Sequence, residues 1–340
     1  MKILLTGATG FLGKHLLRLL LDSTEVSHVY AVSRSKKSHP HEKVTIIPAD
    51  LSDPASINIL PPDADIVVHL SGLYDFTSSF YENYQQNVLP ALNLVSYLLC
   101  LNKSRQVPIF HASTYTVRFG TETIPAEEPL SKLPPKSMAY AHTKAIAEKA
   151  FTDSKLPYAI FRLGVLVGTS HNGKIEKLDG PYAFLKILDS MASLPKALQY
   201  LPIPADKTGI LPLVPIDCAA SVLSSAISRL KPASGKPLIF GVYNAKSVRL
   251  GDFCDEMISH FSPHTKAAYF KKTPILLLRF QERITHIPAE TFLFASDTLP
   301  LENPNFRSMF KNNAIPAFKT YKKAFLDGFH EFINGGGSQC

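Results

Sequence analysis

The 340-residue sequence predicts an α/β fold, a parallel sheet carrying helices on both faces. Three observations lead there. Short β-type runs alternate with amphipathic segments through the first half of the chain. Strand candidates such as "DIVVHL" (65–70) are apolar on both faces, as a covered parallel strand is. A glycine-rich stretch joins the first strand to the first helix.

Taken in order, strands are expected at 2–6, 28–33, 44–48, 65–70, 107–112 and 158–163. Helical segments lie between them near 12–21, 54–59, 80–101 and 138–153. From Gly168 a polar loop, "GTSHNGKIEKLDGP", leads to a helical segment near 183–199. A strand and helix near 212–230 and a strand in "PLIFGVYNA" (237–245) return to the sheet. The remainder to about 334 is helix-rich and broken by prolines. The expected division is a sheet-bearing domain of 1–168 plus 211–245 and a smaller, helix-rich domain of 169–210 plus 246–334. The glycine-rich end, 335–340, is expected to be a flexible tail.

Composition narrows the classes. At 45% hydrophobic the chain has material for a substantial core. No stretch approaches the roughly 18 apolar residues of a membrane span, and Ile3-Leu4-Leu5 is too short for a secretory leader. The cysteines at 100, 218, 254 and 340 have no C-x-x-C spacing and suit a reducing, cytoplasmic location. No histidine, cysteine and carboxylate cluster has metal-ligand spacing, so no metal is expected. The net charge is +8, yet basic residues cluster no further than pairs such as Lys36-Lys37, Lys271-Lys272 and Lys322-Lys323. Without a basic run or stripe, nucleic acid is not an expected partner; a polyanionic cofactor, an acyl-CoA or an anionic membrane surface uses such charge better.

In "TGATGFLGK" (6–14), Gly7, Gly10 and Gly13 follow an apolar strand and precede "HLLRLLL". At a strand-to-helix turn such glycines allow the bend, the approach of backbone to a pyrophosphate, and close helix packing. The helix N-terminus then presents N–H groups to phosphate. In "MAYAHTKAIAEKA", Tyr140 and Lys144 stand four apart on one helical face. A nearby ammonium is expected to lower the phenol's pKa and make it a working acid/base. Upstream, "VPIFHAST" ends an apolar strand on two hydroxyls, Ser113 and Thr114, where a parallel strand meets the ligand crevice.

With these motifs the chain resembles the extended short-chain dehydrogenases/reductases over nearly all its length, which implies the Rossmann doubly wound sheet. The matching segments are TGATGFLG, Asp50-Leu51, His69-Leu70-Ser71-Gly72, the hydroxyls at 113–114, Tyr140-x-x-x-Lys144, and Phe161-Arg162-Leu163 running on to Gly168. The resemblance implies Thr114, Tyr140 and Lys144 as catalytic residues, with Thr114 preferred over Ser113. It implies cofactor contacts from Gly7, Thr9, Gly10, Phe11, Leu12 and Gly13 of the first turn. Further contacts are implied from Asp50, Leu51, Leu70, Ser71, Gly72 and Asn87, and from Tyr140 and Lys144 themselves. Departures are "VRFG" after Thr116 and Pro90 in "NVLPALN", where the family generally has glycine.

The second strand ends in Ser33-Arg34 with no carboxylate to accept from a ribose 2′-OH, and an arginine fork suits a 2′-phosphate. The expected cofactor is therefore NADP(H), with Arg34 its determinant, and Lys36 and Lys37 as a solvated loop. "GLYDFTSSFYENYQQN" (72–87), "GKIEKLDGPYAFLKIL" (173–188) and the segment 292–329 resemble the bacterial fatty acyl-CoA reductase and thioester-reductase branch. "PILLLRFQERITHIP" (274–288) reads as a core helix of the second domain, or else as a tunnel wall or membrane-facing segment. The expected activity is NADPH-dependent reduction of a lipophilic small-molecule carbonyl: an acyl thioester, aldehyde or ketone. A nucleotide-sugar epimerase or dehydratase, and a non-catalytic dinucleotide sensor, are the alternatives. Peripheral membrane contact and homodimerisation stay open.

Overall fold

The computed structural model describes residues 1–35, 39–101, 106–120, 126–192, 200–271, 274, 278, 282–283, 288–296, 301–310 and 314–335. The chain forms two compact units. The first is Met1–Gly164, Ile216–Val242 and Glu302–Ala314; the second is Val165–Pro215, Tyr243–Leu301 and Ile315–Cys340.

The first unit is built on a seven-stranded sheet. Its strands are β1 (Lys2–Thr6), β2 (His28–Ser33), β3 (Val44–Pro48), β4 (Ile66–His69), β5 (Ile109–Thr114), β6 (Tyr158–Leu163) and the strand Leu238–Val242. Their spatial order is Leu238–Val242, β6, β5, β4, β1, β2, β3. Every neighbouring pair is parallel. The order reverses between β1 and β4, and an open parallel sheet binds ligands at such a switch point. Ile3, Leu4, Leu5, Val67 and Val68 are all at 0% exposure, which only a sheet covered on both faces allows.

The helices follow from apolar spacing. In α1 (Phe11–Asp22), Leu12, Leu16, Leu17 and Leu20 recur at three- and four-residue intervals and are buried. That face packs on the helix Ile216–Arg229. Helices α2 (Phe80–Asn83), α3 (Leu89–Leu101) and α4 (Ala139–Asp153) follow β4 and precede β6. Leu94 and Leu98 of α3 lie in the same apolar cluster as Ala147 and Phe151 of α4.

Several expected boundaries move. Residues Pro54–Ile59 form a 3₁₀ helix, opened by the Asp53 carboxylate accepting from Ala55 N at 2.9 Å. Strand β5 runs to Thr114, so both hydroxyls of "AST" belong to the strand itself. The helical stretch 80–101 is interrupted by a π-turn at Tyr84–Val88, where Leu89 N bonds Tyr84 O. Pro90 explains it: proline donates no hydrogen bond and crowds the carbonyl four residues back, and a widened turn relieves both. The domain boundaries also shift. Residues 165–168 join the second unit, the return crossing falls at Ile216, and Glu302–Ala314 join the first unit rather than the second. A buried carboxylate holds this last segment: Glu127 accepts from Gly241 N at 2.8 Å, Asn305 N at 2.5 Å and Phe306 N at 3.0 Å. Phe310 then packs edge-on against Phe240.

The second unit has no large sheet among its described residues. Three two-stranded pairs join Val165–Val167 to Leu213–Pro215, Ile210–Leu211 to Val248–Arg249, and Tyr200–Ile203 to Lys266–Tyr269. Helices Pro181–Ala192, Leu250–Phe261, Ala289–Ala295 and Phe318–Asn334 enclose a core rich in aromatic rings, including Tyr182, Phe253, Phe325 and Phe329. Of the segment 274–288, Leu278 is described and is 1% exposed; Ile275, Leu276, Phe280, Ile284 and Ile287 lie outside the described residues, as do Lys36 and Lys37. Among the described residues no helix is long and apolar enough to cross a membrane.

Candidate active site

The glycine turn is assembled by backbone contacts at the switch point. Gly7 has φ +73°, and a Cβ there would stand 2.7 Å from Ser71 N, so the turn is pressed against the segment leaving β4. Thr6 Oγ1 ties the two together, 2.8 Å from His69 Nδ1, 3.0 Å from Ser71 Oγ and accepting from Ser71 N at 3.2 Å. Burial pushes the His69 imidazole down to about 3, so it serves this network as a neutral ring. Gly13 is equally constrained, since its Cβ would fall 1.9 Å from Gly7 O.

Gly10 is different. It is exposed, and a Cβ there would meet only Gly7 O, at 3.3 Å. It caps α1 with no side chain, and the first turn of that helix carries no acidic residue. The protein's own packing does not demand a glycine here. Bare backbone and an uncompensated helix N-terminus fit the pyrophosphate of a dinucleotide. Thr9 is exposed beside it and Phe11 partly so, whereas Leu12 turns its side chain into the core.

The chemistry-bearing side chains come together between β5 and α4. Tyr140 and Thr114 are 9% and 7% exposed, and their hydroxyls are hydrogen-bonded. Thr114 Oγ1 is also 3.1 Å from Thr116 Oγ1. Lys144 Nζ donates to Ala112 O at 2.8 Å. Ser113, on the other face of the strand, is 4% exposed and its Oγ has no partner among the described residues. Burial pushes the Tyr140 phenol up, opposed only by the Thr114 hydrogen bond. The expectation that Lys144 draws this pKa down is therefore corrected. Lys144 is not among the groups that act on it, and loss of water around the ring dominates. A neutral phenol is the form that can donate a proton. Lys144 itself is lowered to about 8 by burial, with Glu148 opposing.

A second layer fixes these groups. Asn87, in the π-turn, accepts from Leu73 N at 2.7 Å and donates to Asn83 Oδ1 and Thr143 Oγ1, both at 3.2 Å. A Cβ on Gly72 would press to 2.9 Å from Asn87 Oδ1 and stand 3.7 Å from Lys144 Nζ. Glu148, one turn beyond Lys144, forms a buried pair with Arg162 at 2.7 Å, and Arg162 also donates to Ala126 O at 2.9 Å. Sequence reasoning did not single out Asn83, Thr143 or Glu148. Their signal was spacing: Asn83 to Asn87 and Lys144 to Glu148 are each one helical turn apart.

Arg34 follows β2 at the surface, where Nη1 donates to Gln86 Oε1 at 3.4 Å. Asp50 accepts from Ser52 N at 3.0 Å and Ser52 Oγ at 2.8 Å; those bonds, with help from Arg34, hold its carboxyl below the ordinary range. Leu51 is buried in the core, and its carbonyl accepts from Asn93 Nδ2 at 2.8 Å, so its side chain is not available to a ligand. Leu70 N donates to Thr6 O at 3.2 Å, completing the junction at the switch point.

The model of an NAD-binding family described as "Male sterility protein" matches residues 5–223. Among curated proteins, a hybrid PKS-NRPS synthetase of Trichoderma harzianum is 30% identical over 250 residues, 68% of this chain and 6% of that protein. A hybrid PKS-NRPS synthetase of Petromyces alliaceus is 28% identical over 250 residues, 66% of this chain and 6% of its own. The chain thus matches only a small part of those relatives' length. Its fold is that of the terminal R domain from the myxalamid PKS-NRPS pathway (TM-score 0.70, 20% identity, 98% of this chain and 91% of that one). A thiolation-reductase di-domain from an archaeal non-ribosomal peptide synthetase shares it (TM-score 0.68, 18% identity, 98% and 76%). So does UDP-glucuronic acid 4-epimerase from Bacillus cereus, in complex with UDP-glucuronic acid and NAD (TM-score 0.67, 17% identity, 98% and 100%).

Proposed function

The chain belongs to the NAD-binding family described as "Male sterility protein" and is an NAD(P)-dependent oxidoreductase of the extended short-chain dehydrogenase/reductase type; from that premise we propose that it uses NADPH to reduce the carbonyl of a lipophilic acyl thioester, aldehyde or ketone. The observation that carries the reading is the meeting of a neutral, buried phenol with the Thr114 hydroxyl, beside an ammonium held on Ala112 O.

A reduced nicotinamide, when bound, supplies hydride to the carbonyl carbon. Tyr140 donates a hydrogen bond and then its proton to the carbonyl oxygen as negative charge develops there. The Thr114 hydroxyl donates a second hydrogen bond to the same oxygen and holds the phenol in place. Lys144, held by Ala112 O, would orient the ribose. With a thioester, collapse of the tetrahedral product expels the thiol and leaves an aldehyde. Gly7, Gly10 and Gly13 shape the turn that would hold the pyrophosphate, Asp50 and Arg34 would face the adenosine end, and Arg34 would pair with a 2′-phosphate. The second unit acts as the substrate domain.

Two observations support an apolar substrate. Residues 72–81, which lead away from the glycine at the site, contain four aromatic rings and no cation to hold a diphosphate. The structural neighbours include a reductase adjoining a thiolation domain, which makes an acyl thioester the first substrate to test. The test is a series of aldehydes and acyl-CoAs from short to long, assayed with NADPH. Specificity should climb with chain length, by up to about fourfold per buried methylene, before levelling off. Flat specificity, with turnover of a sugar nucleotide instead, would replace this reading with an epimerase.

A further inference from the structure

Three aromatic rings meet at the candidate acid. Tyr74 lies 5.4 Å from Tyr140 at 85° and Phe76 lies 5.3 Å from it at 76°, while Tyr74 and Phe76 are 5.1 Å apart. Edge-to-face geometry of this kind is attractive and sets each ring's orientation. The segment that carries them is pinned along its length. Leu73 N donates to Asn87 Oδ1 at one end. At the other, Ser79 and Glu82 form a capping box that starts α2. Between them the Asp75 carboxylate accepts from Thr77 N at 2.8 Å, Thr77 Oγ1 at 2.6 Å and Ser78 Oγ at 3.0 Å. The only charge in 71–81 is thereby spent inside its own turn. Tyr74 nevertheless keeps 41% of its surface exposed, and Phe80, edging His142 at 5.8 Å, keeps 39%. The firmly held loop thus leaves Tyr74 and Phe80 open to solvent and Phe76 partly so, beside the proton donor.

We propose that Tyr74 and Phe76 are specificity-determining residues: their rings receive the apolar group attached to the reacting carbonyl carbon and hold that carbon against Tyr140. This rests on the reading of Tyr140 as the proton donor and adds to it which side chains choose the substrate. A hydrocarbon arm gains by leaving water for this wall. A diphosphate or sugar arm finds no cation in the segment, and loses its hydration without replacement.

Because the chain contains no tryptophan, Phe76→Trp places a sole indole emitter at the wall. With NADP⁺ present, decanamide, which carries a ten-carbon arm and an unreactive carbonyl, should shift that emission to the blue in a saturable manner. UDP-glucose should leave it unchanged. Tyr74→Trp provides the same probe where Phe76→Trp does not fold. In turnover, Tyr74→Ala and Phe76→Ala should each lower kcat/KM for decanal by about tenfold or more and for propanal by less than about twofold, the scale of one lost ring contact. Phe76→Leu, which keeps apolar bulk, should recover much of the loss. Emission indifferent to decanamide, or equally responsive to UDP-glucose, would overturn the proposal. So would equal losses on decanal and propanal, since the rings would then serve only to hold Tyr140. A protein whose emission reports decanamide but which reduces no aldehyde or thioester would sink the reductase reading and leave the wall standing.

Discussion

A Cβ on Gly13 would stand 1.9 Å from the carbonyl oxygen of Gly7, whereas one on Gly10 would meet that same oxygen at 3.3 Å. The two glycines of one turn therefore answer to different demands. Gly13→Ala must displace backbone where β1 hands over to α1, and should cost about 1–3 kcal/mol or more of stability. Gly10→Ala should melt within a few degrees of the wild type yet weaken binding of the dinucleotide by about tenfold or more, because its methyl occupies the ground meant for phosphate. Thermal melts and cofactor titration of both variants check this. Equal melting losses for both would leave Gly10 as a packing residue.

Strand β5 presents Thr114 to Tyr140 and Ser113 to the opposite face, where its hydroxyl is buried without a partner among the described residues. An unpartnered buried hydroxyl carries a desolvation cost of about 1–3 kcal/mol. Ser113→Ala should therefore leave turnover unchanged and raise the melting temperature. Thr114→Val, close in shape but lacking the hydroxyl, should lower kcat by about 100-fold or more, and Thr114→Ser should restore most of it. Steady-state kinetics decide the order; a greater loss from Ser113→Ala reverses the assignment.

Lys144 titrates near 8 because its burial outweighs the support of Glu148. If its ammonium is needed in turnover, kcat/KM should fall above about pH 8, far below an ordinary lysine. Lys144→Arg, charged throughout, should be slower but show no such limb. Stability moves the other way. The folded value lies below the unfolded value, so the burial penalty is full below pH 8 and is relieved as pH rises through 8 toward 10.5. Wild type should accordingly gain stability relative to Lys144→Met across that window, as calorimetry at matched pH would reveal.

What was legible in the sequence was what local spacing encodes. The glycine turn, the Tyr140 and Lys144 pair, and the strand-end hydroxyls each fit within a few residues of chain, where helix and strand periods dictate which side chains share a face. Much of what surrounds them is long-range. The rings of Tyr74 and Phe76 reach Tyr140 across more than sixty residues, and no period reveals that. Burial, which no local spacing reports, governs the phenol rather than Lys144. Glu127 drew Glu302–Ala314 into the first unit by accepting backbone N–H groups, which leave no mark in sequence. The π-turn was not foreseen: Pro90 stood out only as a departure from the family's glycine, while its effect on the turn before it appears in the folded helix.

Arg34, just past the end of β2, donates to Gln86 and helps hold the Asp50 carboxyl below its ordinary range. Arg34→Asp should reverse cofactor choice, weakening NADPH and strengthening NADH, by about tenfold or more in each direction, as loss of a charge-assisted pair implies. Titration of both reduced cofactors into wild type and variant measures it. A wild type that prefers NADH would withdraw the 2′-phosphate from Arg34.

The most direct test is a single-turnover experiment with NADPH dideuterated at C4 and a long-chain aldehyde, comparing wild type with Tyr140→Phe. The account predicts one deuterium on the carbinol carbon of the wild-type product. It predicts a rate at least about 100-fold lower in the variant, with cofactor affinity nearly unchanged, the mark of a lost proton donor. Deuterium absent from the product, or a variant that keeps more than about a third of the wild-type rate, would contradict it.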